Sequence, residues 1–235
     1  MVMADGTEKS GRRGGSRAAA DGDGLSLREL KKIRTRERIS GEATRLFVER
    51  GFDHVTVAEV ARAAEVSTMT VFNYFPRKED LFLDRVPEIV ELVTRAVRER
   101  GEGCSPLEAL QRLALGLLEQ RHPLAGVGEW VGYWWRVLVE SPALMARGRE
   151  ALEEFEGTLA GLFAEAEGAG PDAYGPKLAA ALTVAGYRSV YATVVRRQLA
   201  GVPVEEIAAE EGELLRHTFE MLSRVVRTGP QVRES

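Results

Sequence analysis

A single cysteine, Cys104, stands among 235 residues. That scarcity removes intrachain disulfides from the account and suits a reducing compartment. Cys104 lies between Gly103 and Ser105, and with no second thiol to resolve an oxidised form it reads as a plain loop thiol. Histidine is nearly as rare. His54, His122 and His217 are far apart, without HExxH spacing or a Ser-His-Asp grouping, so no metal site, no cofactor and no catalytic centre are expected. No apolar run approaches the roughly 20 residues that cross a bilayer. The first two dozen residues lack the continuous apolar stretch of a secretory signal. The chain therefore reads as cytoplasmic, with no membrane partner. Strand-period alternation and fixed-period repeats are missing too, so the expected fold is all-α.

What remains is a globular composition, 44% hydrophobic and 29% charged. The net charge of −4 is unevenly spread. Residues 1–85 hold 16 Lys and Arg against 14 acids, and residues 86–235 hold 16 against 22. A mildly positive front on an acidic body suits a protein whose contact with a polyanion is confined to one end. Residues 1–26, rich in Gly, Ala, Ser, Arg and Asp, are expected to be a disordered arm.

Helical spacing begins near Leu27, with Ile39, Ala43, Leu46 and Phe47 forming a buried stripe and Gly51 a left-handed cap. Thr56 and Glu59 make a capping box for a second helix whose inner face is Val57, Val60, Ala61 and Ala64. Ser67 caps a third helix, with Val71 and Phe75 inward, and Pro76 stops it. Pro87 is expected to kink or split the segment 79–100. Further helices are expected near 105–121, 127–140, 142–167, 174–199 and 204–227, entered at Ser105-Pro106, Ser141-Pro142, Pro171-Asp172 and Pro203.

Val55 to Leu81 carries the functional signal. Two short amphipathic helices flank a tight turn, and the second ends in Phe72, Tyr74, Phe75, Pro76 and the pair Arg77-Lys78. Such an order lays one helix in the major groove of DNA and braces its flanks on phosphates. Thr68, Met69, Thr70 and Asn73 fall on or near the outward face. Hydroxyls bond base edges or phosphates, a methionine contacts a thymine methyl, and an asparagine suits adenine. Phe72 and Tyr74 flank the groove. Thr56 sits at a helix start, where amides meet phosphate. Arg36, with Arg12, Arg13 and Arg17 of the arm, is placed to reach backbone or minor groove.

The stretches Arg36 to Phe52, TVAEVARAAEVS (Thr56 to Ser67) and TVFNYFPRKEDL (Thr70 to Leu81) resemble the N-terminal domain of the tetracycline-repressor (TetR) family of bacterial transcription regulators. The likeness implies an N-terminal three-helix helix-turn-helix domain over 27–78, and a larger helical effector-binding and dimerisation domain over 79–230. It makes Lys78 the family's phosphate-binding lysine. It also implies a homodimeric regulator that reads double-stranded operator DNA and answers to a small effector. Glu65 stands where the family has a turn glycine, Met69 replaces a glycine or proline, and Phe72 replaces a tyrosine. The turn must therefore accommodate a side chain, and the base preference is this chain's own.

In the remaining body, Trp130, Tyr133 and Trp134 share one helical face with Leu138, and Trp135 points away. With Tyr187, Tyr191 and Arg136 they are candidates for the wall and polar handles of a pocket for a largely apolar ligand. Taken singly, each of these residues reads more readily as core, and it is the family likeness that implies an effector site in this domain. Leu178, Leu182, Ala185, Gly186 and Ser189, with Ile207, Leu214, Leu215, Thr218, Met221, Leu222 and Val225, are candidates for a four-helix dimer interface on a two-fold axis. The expected function is a homodimeric repressor released from a pseudo-palindromic operator by a ligand. The alternatives are a regulator governed by a protein partner, an activator, and, more remotely, an enzyme.

Overall fold

The computed structural model describes residues 26–128 and 131–228. The arm read over residues 1–26 lies outside these but for Ser26, as does the candidate Trp130. Among the described residues every regular element is helical: α1 (Leu27–Arg50), α2 (Val57–Ala63), α3 (Thr68–Tyr74), α4 (Lys78–Phe82), α5 (Val86–Arg98), α6 (Pro106–Glu119), a short 3-10 turn (Pro123–Ala125), α7 (Val131–Glu140), α8 (Pro142–Glu167), α9 (Tyr174–Leu199) and α10 (Val204–Thr228).

Local chemistry sets these boundaries. Reciprocal capping boxes open α1 (Ser26 with Glu29), α2 (Thr56 with Glu59) and α6 (Ser105 with Glu108), each satisfying amides that a helix start leaves free. Pro87 sits in the first turn of α5, so the segment 79–100 is split at residues 83–85 rather than kinked. Gly51 caps α1 at φ 80° and ψ 150°, a region open essentially to glycine alone and not the left-handed helical one expected. The helix expected from residue 127 is described from Val131 onward, and residues 127 and 128 are not helical. It is preceded by the 3-10 turn and by Gly126 at φ +83°. A Cβ at Gly126 would lie 2.3 Å from the Tyr191 ring, so the chain passes there only without a side chain.

Two cores result. The N-terminal one gathers Ile39, Phe47, Val60, Val71, Phe75, Leu81 and Phe82, and is completed by Val137, Leu138 and Leu144 from α7 and α8. The division expected at 78/79 thus falls inside α4, whose Leu81 and Phe82 belong to the first core. The second core is a bundle of α5, α6, α8, α9 and α10, with Val97, Leu159, Phe163, Ala180, Val194, Ile207 and Phe219 at its centre. Helix α9, 26 residues with a mean hydropathy of 1.3 over its most apolar stretch, is long and apolar enough by length and composition to cross a membrane. That corrects the expectation that no segment reaches this measure. Here it packs against α8 on one side and α10 on the other.

Candidate nucleic-acid interface and helical core

Helix α3 is anchored by its inward side chains, Val71 fully buried and Phe75 nearly so. The Ser67 hydroxyl caps it by accepting from the Thr70 amide at 3.0 Å. Outward stand Thr68 and Asn73, both exposed, with Met69 69% and Phe72 44% exposed. Two large apolar side chains thus stand in water three residues apart on a short helix. Thr70 is half-buried and its hydroxyl is bonded to Ser67 Oγ at 2.8 Å. Tyr74 is half-buried at the far end.

The turn before α3 follows from Glu65, which lies at φ +52°. Val66 N–H donates to the Ala61 carbonyl at 2.9 Å, the long bond of a Schellman closure around a left-handed residue. The side chain is accommodated, but in a conformation that glycine adopts at lower cost.

Three of the expected phosphate contacts are turned inward. The Arg36 guanidinium donates to the carbonyl oxygens of Tyr74 (3.5 Å) and Asp84 (2.7 Å) and lies 4.4 Å over the Phe75 ring. It brackets the end of α3 to the α4–α5 turn instead of reaching outward, because those carbonyls have no helical partner there. Lys78 donates to the Phe52 carbonyl at 2.7 Å with its ammonium 4.1 Å from the Phe52 ring. Burial, partly opposed by the nearby Asp53 and Glu79 carboxylates, pulls its pKa below the usual lysine range. The Thr56 amide and hydroxyl both donate to the Glu59 carboxylate, at 2.8 Å each, so a carboxylate already sits where a phosphate was expected. These two donations hold the Glu59 carboxyl below its ordinary range.

Exposed cations that the sequence reading passed over lie on the first turns of α1: Arg28, Lys31, Lys32, Arg34 and Arg38. Their signal was the basic run 28–38 itself. An open recess of about 290 Å³, lined by Glu29, Lys32, Ile33, Arg36 and Tyr74, joins this surface to the end of α3.

The two cores are clasped together. Ser141 Oγ donates to Asp53 at 2.9 Å, Arg147 Nε donates to Asp80 at 2.9 Å with its side chain only 16% exposed, and Arg77 pairs with Glu150. Trp134 lies on Phe82 in a stack with centroids 4.9 Å apart. Trp135 meets Trp134 edge-on at 5.0 Å and faces Tyr191 at 6.1 Å. Tyr191 stacks with Tyr187, which in turn meets Phe219 in a T-shaped contact. An unbroken file of aromatic rings thus runs from the first core into the middle of the bundle.

The expected pocket residues are divided by this file. Tyr187 and Tyr191 are half-buried side by side, and desolvation drives both hydroxyl pKa values up. Trp134, by contrast, faces the first core. Tyr133 is 46% exposed, and Arg136, also exposed, lies 5.5 Å over its ring. The residue that approaches the tyrosines is Trp135, expected to point away. Successive helical residues turn by about 100°, so when Trp134 packs on Phe82 its neighbour is carried toward α9, and Tyr133 and Arg136 to solvent.

Sequence reasoning missed Glu211. It is 3% exposed on α10, and its Oε2 has no hydrogen-bond partner. Burial pushes its carboxyl up to about 8. The indole Nε1 of Trp135 and Oε1 of Gln198 are likewise buried without partners. One glutamate in the acid-rich run 205–213 of an amphipathic helix gives no hint that it alone faces inward. Tyr191 is fixed among these groups by donating to the Leu124 carbonyl at 3.2 Å. Among the described residues no cluster of three His, Cys, Asp or Glu could hold a metal ion.

Comparison with known proteins bears on both halves. A family model described as bacterial regulatory proteins of the tetR family matches residues 39–84. The HTH-type transcriptional regulator TcmR of Streptomyces glaucescens is 35% identical over 157 residues, covering 65% of this chain and 68% of its own. HbdR of Aromatoleum sp. (strain CIB), also an HTH-type transcriptional regulator, is 32% identical over 76 residues, covering 32% of this chain and 33% of its own. Among solved structures, native NalD, the secondary repressor of the MexAB-OprM multidrug efflux pump in Pseudomonas aeruginosa, superposes with a TM-score of 0.52 at 21% identity, covering 80% of this chain and 96% of its own. GusR of Salmonella enterica superposes with a TM-score of 0.51 at 20% identity, covering 83% and 96%. These two likenesses concern the fold.

Proposed function

The chain belongs to the tetR family of bacterial regulatory proteins and is a DNA-binding transcription regulator, and from this premise we propose that it is a homodimeric repressor released from a pseudo-palindromic operator by a small, largely apolar ligand. The observation that carries the reading is the pairing of an exposed α3 face, Thr68, Met69, Phe72 and Asn73, with a bundle whose buried polar groups lack partners.

Reading of bases falls to Thr68, Met69 and Asn73, the side chains free to enter the groove. Phe72 and Tyr74 flank it, and Thr70 contributes chiefly by holding the cap. Thr56, Arg36 and Lys78 fix the domain's shape, and phosphate contact then falls to Thr56's neighbouring amides, to the remaining N–H donors of Lys78 and to the exposed cations of α1.

Dimerisation is assigned to α9 and α10, but to fewer residues than the sequence indicated. Ile207, Leu215 and Leu222 are buried in their own subunit. Gly186 also serves its own subunit, since a Cβ there would stand 2.8 Å from Thr218. The outward residues are Leu178, Ala185 and Ser189 on α9, with Met221 and Val225, each about half exposed, on α10. Such a stripe on two long helices suits an isologous four-helix contact. It would set two copies of α3 about one DNA turn, roughly 34–36 Å, or a multiple apart.

Release follows from the ring file. A ligand settling beside Tyr187 and Tyr191 displaces Trp135, and α7 carries that shift through Trp134 to Phe82 and α4. The ligand acts only by favouring the spacing that does not fit the operator. Binding of fluorescent DNA from the region flanking its own gene, followed by anisotropy, tests the reading. The dimer is expected to prefer one pseudo-palindrome over random duplex, and Asn73→Ala to lose that preference. A chain that binds all duplexes alike would contradict it.

A further inference from the structure

Glu211 places an acceptor in the interior of the bundle with nothing to accept from. Its Oε2 has no partner, and its carboxyl lies close enough to the Tyr187 and Tyr191 hydroxyls on the facing helix to help raise their pKa values. A carboxyl buried without a counter-charge costs the fold whether it holds its proton or ionises, and packing gives no reason to keep one. Leucine or methionine would fill the same space at lower cost. Burial is what perturbs this carboxyl, with no offsetting contribution from a Lys, Arg or His among the described residues. On α9, Arg197 is paired with Glu206 and Glu210, and Arg188 is exposed.

The surroundings specify what is missing. Tyr187 and Tyr191 lie nearly parallel, with centroids 6.1 Å apart and planes 28° from one another. Phe219 closes one end at 5.8 Å and Trp135 the other at 6.1 Å. A carboxyl beside a group of aromatic side chains is a pairing that favours a cation with an apolar body: the charge is met by the ionised carboxylate and the body by the rings. The unpartnered indole N–H of Trp135 adds a donor for an oxygen elsewhere on the same molecule.

We infer that the effector is a lipophilic amine, protonated when bound, whose ammonium pairs with Glu211 while its aromatic or alicyclic body lies against Tyr187, Tyr191 and Trp135. This rests on the effector-released repressor reading and names the ligand class of that site. A neutral ligand of the same shape brings no counter-charge to draw the proton from Glu211, and an anionic one opposes its ionisation.

The test uses a charge-matched trio, tryptamine, tryptophol and indoleacetate, followed by larger tricyclic amines such as imipramine with neutral analogues of the same skeleton. Binding to the full-length protein is measured by calorimetry, and release of operator DNA by anisotropy, for the native protein and for Glu211→Gln. The amines are expected to bind and release DNA about tenfold or more better than their neutral counterparts, and Glu211→Gln to abolish that margin while leaving the neutral compounds unchanged. Release by neutral or anionic compounds, or an amine preference that survives in Glu211→Gln, overturns the assignment of class and leaves the repressor reading standing. Failure of every compound to bind or to release DNA overturns the assignment and counts against an effector in this bundle. Thermal melting of Glu211→Gln, expected above that of the native protein, confirms that the variant is folded.

Discussion

Replacing Glu211 by glutamine is expected to stabilise the protein, and to do so more as the pH rises. The carboxyl's ordinary value of 4.5 is pushed to about 8 in the fold, wholly by burial. Below pH 4.5 folded and unfolded chains both hold the proton and the group costs nothing. Between 4.5 and 8 the unfolded chain has released it while the folded one retains it, so stability falls by about 1.4 kcal/mol per pH unit; above 8 the loss is complete. At pH 7 the cost is on the order of 3 kcal/mol, and at pH 5 it is under about 1 kcal/mol. Glutamine has the same shape and never ionises, so the variant escapes this term, and other titrations cancel when it is compared with the native protein at the same pH. For a chain of this size the gain corresponds to a melting point raised by roughly 6–12 °C at pH 7 and by far less at pH 5. Calorimetric melting or urea denaturation of both proteins across that range measures the gap. A gap that does not widen with pH, or a glutamine variant less stable than the native protein at pH 7, would refute the claim that the carboxyl is buried unpaired.

Other perturbations address separate parts of the structure. Glu65→Gly relieves a left-handed residue at φ +52° and is expected to raise stability by about 1 kcal/mol in urea titration, with operator affinity unchanged. Gly126→Ala would set a Cβ 2.3 Å from Cε1 of Tyr191 at φ +83°, so a loss of about 2 kcal/mol or more and a disturbed tyrosine environment in near-ultraviolet circular dichroism are expected. Lys78→Ala removes the bond to the Phe52 carbonyl and the stacked ammonium. A loss of about 1–2 kcal/mol in folding stability is expected. A fall of about 1 in the slope of log affinity against log salt is expected only where a further donor also holds a phosphate. Trp134→Ala is expected to leave ligand affinity nearly intact and to weaken the ligand's effect on DNA binding, a difference seen by titrating ligand with and without operator.

Much of the fold was legible because its signals are local. The capping boxes at Thr56 and Ser105, the prolines at 87, 106 and 142 and the stripe from Ile39 to Phe47 act within a few residues of one another, so sequence spacing alone reveals them. The recognition helix was legible for the same reason, down to Val71 and Phe75 inward with Met69 and Asn73 outward. Long-range pairings were not. Arg36 and Lys78 look like free cations in one dimension, and become internal brackets only because carbonyls 26 to 48 residues away arrive beside them. The file from Phe82 to Phe219 depends on the rotation of α7, which is set by packing on the first core. Glu211 was hidden because its helix is acidic throughout, and only the approach of α9 decides which of its carboxylates is shut in.

The central claim is that α3 reads DNA with Thr68, Met69 and Asn73. Its most direct measurement is the binding of Asn73→Ala and of the native protein to an operator and to every single-base variant of one half-site. The account predicts that the substitution costs about 1–3 kcal/mol on the native operator and flattens discrimination at one base pair in each half-site, with the salt slope unchanged. Equal affinity of both proteins at every base would contradict it.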